Sequence, residues 1–326
     1  MSEAKVRELQ PGVFLLHLPL PMKPTIVNVY LVRDGDEWAL IDTGMNTDDS
    51  KNAFQSILQS LGIAPSAIRK IICTHHHPDH YGASAFLAQL TGATVYLHPL
   101  EYEKSRTFAP ANRSDEALAF FRANGIPVER FLHIPSPSEF WSGMYAPVKP
   151  DELLADGDVL HVGECEIEVV WTPGHAPGHC VLYLRHEKLM IVGDHLLPKI
   201  TPHVGYFPGG VADPLGDFLD SQRKVQRFEV DAVLPAHGAV YADHIHRANQ
   251  LIQHHHYRME AMLDVIKAQP APAYVVATKA FNFDHDAPLS YQFPATFETL
   301  AHLHHLKTLG RADVGKENGV ELWRAL

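Results

Sequence analysis

The run His75-His76-His77-Pro78-Asp79-His80, inside ICTHHHPDHYG, carries the densest chemistry in this chain and directly follows an apolar stretch. Imidazole and carboxylate at this density are costly to bury without partners and do not make ordinary apolar core. Borderline cations such as Zn²⁺ use this ligand mixture, with a position left open for water when the metal is catalytic. The pattern His75-Xaa-His77-Xaa-Asp79-His80 therefore points to metal-dependent hydrolysis. A solvated histidine-rich loop is the bland alternative, and three later stretches argue against it. Trp171-Thr-Pro-Gly-His175-Ala-Pro-Gly-His179 puts histidines on a Gly-Pro loop, Val192-Gly-Asp194-His195 puts a carboxylate at a strand end, and Leu234-Pro-Ala-His237-Gly adds a last histidine.

These residues need elements that end at a common place. Gly12 to Leu18, Thr25 to Arg33 and Glu37 to Ile41 are apolar and β-branched runs separated by Pro, Gly and Asp, the pattern of successive strands. After Asp42-Thr43-Gly44, Thr47 caps a helix whose apolar face is Phe54, Ile57, Leu58 and Leu61, and Gly62 ends it. Ile68 to Thr74 reads as a strand, Tyr81 to Leu90 as a short helix and Ala93 to Leu97 as another strand, so the histidine motif falls on a strand-to-helix loop. Regular alternation breaks from Glu103 to Asp151, an expected insertion with a helix over Ser114 to Ala123. Its aromatics Phe131, Phe140, Trp141 and Tyr145 fit either a lid over the site or core filling. Strands resume at Val159 to His161, Glu166 to Trp171, Cys180 to Leu184 and Lys188 to Val192, an apparent duplication of architecture. Beyond His244, helical stripes at Leu251 to Ile266, Val275 to Phe281 and Phe297 to Leu309 precede a hairpin around Asn318-Gly319, the order of a winged-helix module. The expected domains are 1–245 and 246–326.

With 326 residues, 46% of them hydrophobic, the chain can bury a large core as one big domain or one with an appendage. A net charge of −11 argues against a general attraction to nucleic acid or to an anionic membrane. Cys73, Cys165 and Cys180 have neither disulfide-framework nor CxxC spacing and read as reduced, buried thiols. The amino terminus has no signal-peptide pattern, and no apolar run reaches the about 18 residues a span requires. A soluble cytoplasmic protein is the expectation.

The HxHxDH box, the Thr-Pro-Gly-His loop, the Gly-Asp element and the late His-Gly occur in an order that resembles the metallo-β-lactamase fold superfamily, over roughly Gly12 to His244. The resemblance implies an α/β fold of four αββα layers with two divalent metal ions at one edge, Zn²⁺ first and Fe²⁺ or Mn²⁺ as alternatives. One ion would take His75, His77 and His175, the other Asp79, His80 and His237. Asp194 would bridge them with a water or hydroxide that attacks an acyl or phosphoryl centre, which makes Asp79 and Asp194 the candidate catalytic carboxylates. Asp42, in LIDTG, would support the histidine loop from behind, and His179 would play a supporting or structural part. His195, His203 and Tyr206 are candidates to touch substrate, with ordinary loop positions the alternative. The histidines at 254 to 256 read as surface or packing residues, a separate metal site being the minor alternative.

For the substrate, TPGHAPGH is similar to the loop of hydroxyacylglutathione hydrolases, which implies a small-molecule acyl thioester or ester. The Gly-Lys-Xaa-Tyr element that holds glutathione there is not matched by Lys199 and Tyr206. A metallo-β-lactamase domain followed by a winged helix also resembles the β-lactamase-like protein 2 group, which implies single-stranded RNA; the acidic charge and the wing KENG argue against that and favour a lid or dimerisation role for the tail. Lactone or β-lactam hydrolysis and a non-catalytic metal-binding scaffold complete the alternatives.

Overall fold

In this computed structural model, residues 5–107, 115–131 and 140–326 are described. Residues 108–114 and 132–139 of the expected insertion, Ser114 among them, lie outside the described residues, as does the side chain of Phe131.

The amino-terminal half alternates strand and helix as β1 (Lys5–Gln10), β2 (Val13–Pro19), β3 (Ile26–Asp34), β4 (Glu37–Ile41), α1 (Asp48–Leu61), β5 (Ile68–Ile72), α2 (Pro78–Tyr81), α3 (Ser84–Thr91), β6 (Thr94–Leu97), α4 (Pro99–Thr107), α5 (Asp115–Ala123), α6 (Val128–Phe131) and β7 (Glu152–Leu153). These strands form one sheet in sequence order. It is antiparallel from β1 to β4 and parallel from β4 to β7. The edge strand β1, KVRELQ, has too little apolar alternation to be read from sequence. The second sheet contains β8 (Val159–Val162), β9 (Cys165–Trp171), β10 (Cys180–Leu184), β11 (Leu189–Gly193) and, after helix α7 (Pro214–Val225), β12 (Ala232–Pro235). Its antiparallel strands are likewise followed by a parallel pair, β11 and β12, so the duplication is one of architecture.

Period-two alternation divides each strand between two cores. In β2, Val13 and Leu15 face the second sheet while Leu16 and Leu18 face α1. In β11, Leu189 and Ile191 face the first sheet while Met190 and Val192 face α7. The result is helix, sheet, sheet and helix in four layers. Helix α1 has the anticipated ends: the Thr47 hydroxyl accepts from Ser50 N–H, and Gly62 closes the helix at φ 66°. The helix expected over Tyr81 to Leu90 is instead two, α2 and α3. The His80 carbonyl accepts from the Thr43 N–H and hydroxyl, each at 2.8 Å, and is not available to continue the helical ladder into Ser84.

The tail forms α8 (His244–Ala268), α9 (Ala273–Ala280), α10 (Leu289–Thr308) and the hairpin β13 (Ala312–Glu317) and β14 (Val320–Ala325). Asn318 and Gly319 both have positive φ, as a type I′ turn requires. Leu251, Leu263, Leu300 and Trp323 share one apolar cluster with Val181, Met190 and Phe218, so the tail packs on the outer face of the second sheet and α7. The insertion's aromatics are divided: Trp141 and Tyr145 pack into the core behind the first sheet, while Phe121 packs against Phe293 and Phe297 of α10. The three cysteines are free and buried. No helix among the described residues is long and apolar enough to cross a membrane.

Candidate metal centre

Each candidate ligand leaves the C-terminal end of a strand: His75, His77, Asp79 and His80 after β5, His175 after β9, Asp194 after β11 and His237 after β12. Strands from both sheets thus deliver ligands to one edge of the sandwich. His77 Nδ1 lies 2.9 Å from His75 Nε2 and 3.0 Å from His175 Nε2. Beside this trio, Asp79 Oδ2 lies 3.1 Å from His237 Nε2 and 3.7 Å from His80 Nε2. The Asp194 carboxylate lies between the two groups. Its Oδ2 is 3.7 Å from His175 Nε2, and its Oδ1 is 3.6 Å from His80 Nε2 and 3.5 Å from His237 Nε2.

These residues suit divalent cations. His80 Nε2 and Asp194 Oδ1 are buried without a hydrogen-bond partner, a costly arrangement in a native interior unless another group satisfies them. The trio His75, His77, His175, the trio Asp79, His80, His237, and His75 with His80 and Asp194 each place their ligand-capable atoms within 4.8 Å of one another. Nitrogen and carboxylate oxygen at such spacing make a zinc-class donor set.

Hydrogen bonds behind the rings aim the lone pairs inward. His80 Nδ1–H donates to Asp42 Oδ2 at 2.8 Å, His175 Nδ1–H to the His203 carbonyl at 2.8 Å and His237 Nδ1–H to the Ile26 carbonyl at 3.1 Å. The Thr74 hydroxyl donates to Asp42, so it must accept from His75 Nδ1–H at 3.0 Å. In all four cases Nε2 is left as the base. Asp42 therefore orients two candidate ligands, one directly and one through Thr74. It does so from a left-handed backbone at φ 64°, a conformation uncommon for aspartate and held here by its bonds to Thr74 and His80.

Charge is distributed unevenly. Burial, and then the neighbouring histidines, push His75 and His77 well below the ordinary imidazole range, and burial lowers His175 as well. Burial opposes charge on His80 and His237 too, but nearby carboxylates outweigh it and both are raised. Burial likewise opposes charge on Asp79 and Asp194, and the surrounding histidines hold both below the usual carboxylate range.

Other sequence candidates occupy varied places. His179 is buried; its Nε2 accepts the Asp194 N–H at 3.2 Å and its Nδ1 meets the Thr172 hydroxyl at 3.0 Å. Gly193 has φ +48°, and a Cβ there would meet His179 Nε2 at 2.7 Å and the Thr74 hydroxyl at 2.9 Å, so only glycine lets the Asp194 turn approach so closely. His195 is buried between His179 and Phe218, with Gln222 on its Nε2. His203 Nε2 bonds the Pro294 carbonyl, and Tyr206 stacks on His304 at 3.8 Å between ring centres, so both face α10. His98 stacks on Trp171.

Glu101 was not singled out by the sequence, although it is wholly buried at the centre's flank. It accepts from the His76 N–H at 2.8 Å, the His76 ring and the Gly178 N–H at 2.6 Å, tying the loop after β5 to the loop after β9. Burial opposes its charge, and His76 with the two backbone donors more than compensates, lowering its pKa. One glutamate on a helix with no spacing relation to either loop offers no sequence signal.

The family model of the metallo-beta-lactamase superfamily matches residues 22–237, from the turn before β3 to the last candidate ligand. This chain belongs to the metallo-beta-lactamase superfamily. Within it, the chain is 32% identical to the crystal structure of a family protein from Thermus thermophilus, with a TM-score of 0.81 over 98% of this chain and 100% of that one. It is 25% identical over 252 residues to the beta-lactamase-like protein 2 homolog of Caenorhabditis elegans, covering 77% of this chain and 69% of that protein. It is also 25% identical over 244 residues to the acyl-coenzyme A thioesterase MBLAC2 of Homo sapiens, covering 71% and 80%. As a metallo-beta-lactamase superfamily member with a thioesterase-named relative, the chain is a metallo-hydrolase.

Proposed function

We propose that the chain is a dinuclear metal-dependent hydrolase of small acyl thioesters or esters. The observation that carries this reading is Asp194, whose two oxygens are shared between a three-histidine group and an Asp-His-His group. His75, His77 and His175 would hold one ion, Asp79, His80 and His237 the other, with Asp194 between them. Two such ions, when bound, lower the pKa of water toward neutrality and polarise an acyl oxygen. The chain's own part is to fix the donors: Asp42, Thr74 and the two carbonyls set the tautomers, and His179 pins the Asp194 turn. No thiol nucleophile competes, because burial pushes Cys73, Cys165 and Cys180 up, away from the reactive thiolate. Zinc is the first expectation, with iron or manganese as alternatives.

An acyl group is supported by the surface next to the centre. His203, whose carbonyl holds His175, neighbours Phe207, and Phe207 stacks on Phe297 at 4.6 Å, with Phe120 and Phe293 stacked on the same ring. Ile200, Phe207 and Val211 expose apolar surface on this loop. A hydrocarbon chain would lie there, with the tail, 246–326, bracing the wall as an appendage to a catalytic unit, 1–245. His203 is the sequence candidate best placed to approach substrate; His195 and Tyr206 serve packing.

A second reading, cleavage of single-stranded RNA, follows from the resemblance to the beta-lactamase-like protein 2 group, a homolog of which in C. elegans is similar to this chain. Against it, the α8 arginines that would meet phosphate are spent internally, Arg247 on the Leu197 and Ile200 carbonyls and Arg258 on the Ala280 carbonyl. Turnover of acyl-CoA, acyl-glutathione, acyl-lactone and single-stranded RNA, compared side by side on metal-loaded protein, tests the choice. Hydrolysis of a thioester or ester is expected; a rate confined to RNA overturns the acyl reading.

A further inference from the structure

The histidine triplet on α8 lies outside the centre and has no part in the chemistry above. Successive helix residues point about 100° apart, so adjacent histidines rarely serve one ligand. Here a residue from the facing helix brings them together: the ligand-capable atoms of His254, His255 and Glu298 on α10 lie within 4.8 Å of one another. His255 is fully buried, and the other two are half-buried.

The hydrogen bonds around His255 determine where its lone pair lies. His302 Nδ1–H donates to the Glu298 carbonyl at 2.7 Å, so neutral His302 presents an unprotonated Nε2. That atom lies 3.0 Å from His255 Nδ1, which must therefore donate. His255 is left with its base at Nε2, and this atom is buried without a hydrogen-bond partner. A relay that fixes the tautomer and leaves one nitrogen free is the arrangement found behind metal-bound histidines. Arg258, the nearby cation, has one guanidinium nitrogen on the Ala280 carbonyl and lies over the Phe281 ring at 4.2 Å, with no ion pair to Glu298 among the described residues.

We propose that His254, His255 and Glu298 form a second metal site, separate from the centre at the strand ends, which takes one divalent transition cation of the zinc class and clamps α8 to α10. Two imidazoles and one carboxylate suit such an ion, whereas calcium and magnesium demand oxygen donors.

The test is zinc titration of the metal-stripped full-length protein, reading equivalents bound per chain and the zinc-induced rise in Tm. Glu298→Gln and His254→Gln are each expected to bind one equivalent fewer than wild type and to lose part of that rise, while hydrolysis at the strand-end centre persists. In an Asp194→Ala background the same one-equivalent difference remains, which separates this site from the catalytic one. An unchanged equivalent count in His254→Gln, a half-exposed position where folding is not at risk, overturns the proposal.

Discussion

In one half of the centre, His75 and His175 are aimed by neutral groups, the Thr74 hydroxyl and the His203 carbonyl; in the other, His80 is aimed by the Asp42 carboxylate and stands beside Asp79. Burial drives the first trio toward neutrality, whereas carboxylates keep His80 and His237 raised. The difference teaches that Asp194 is the carboxylate that meets a candidate ligand nitrogen of the three-histidine half, while the other half has Asp79 as well. Asp42 reaches His80 directly but His75 only through Thr74, so the halves should respond unequally when it is altered.

The most severe way to break the comparison is Asp194→Ala, which removes the group common to both halves. Hydrolysis should fall by about a thousandfold or more, the loss of roughly 4 kcal/mol of transition-state stabilisation, with the fold retained by circular dichroism. Near-normal turnover would show that no shared carboxylate is needed. His75→Ala and Asp79→Ala should each cost nearly as much and lower metal content by about one ion per chain, read by elemental analysis; loss of both ions in either variant would mean the halves do not bind independently. Asp42→Asn keeps the shape but weakens the acceptor, and metal affinity should drop about 10- to 100-fold, more for the half holding His80, as competition with a chelator would reveal. Equal weakening would remove the asymmetry argued from the Thr74 relay.

Smaller effects separate support from chemistry. Glu101→Gln should cost about 1.5–3 kcal/mol in urea unfolding, since a buried charged acceptor of three N–H groups becomes a neutral amide, while hydrolysis falls less than in the ligand variants. Thr47→Ala, at the cap of α1 and away from both halves, should cost about 1 kcal/mol of stability and leave metal content and turnover unchanged.

Legibility followed the range of the interactions. Helix α1 could be read at both ends because Thr47 and Gly62 act within their own turns, and the Asn318-Gly319 hairpin because its turn demands positive φ locally. The division between α2 and α3 could not, since the contact that interrupts the helix comes from Thr43, far back in the chain. The part of His76 could not be read either, because its partner Glu101 comes from a helix further along the chain. His195 directly follows Asp194 in sequence and Tyr206 lies further along the same stretch, yet the two pack against Phe218 and His304.

The sequence by itself determined the candidate ligand types, their order and their positions after strands, because dense histidine and aspartate on Gly-Pro loops has few stable uses other than metal. The family resemblance implied their division into two groups, and tertiary structure alone supplied the contacts around them. It placed the Asp194 oxygens between two groups, made Asp42 serve one group directly and the other through Thr74, linked two loops through Glu101 and set Glu298 opposite His254 and His255. Each of these depends on groups from separate strands or helices meeting within hydrogen-bonding or ligand distance, and sequence spacing carries no record of that distance.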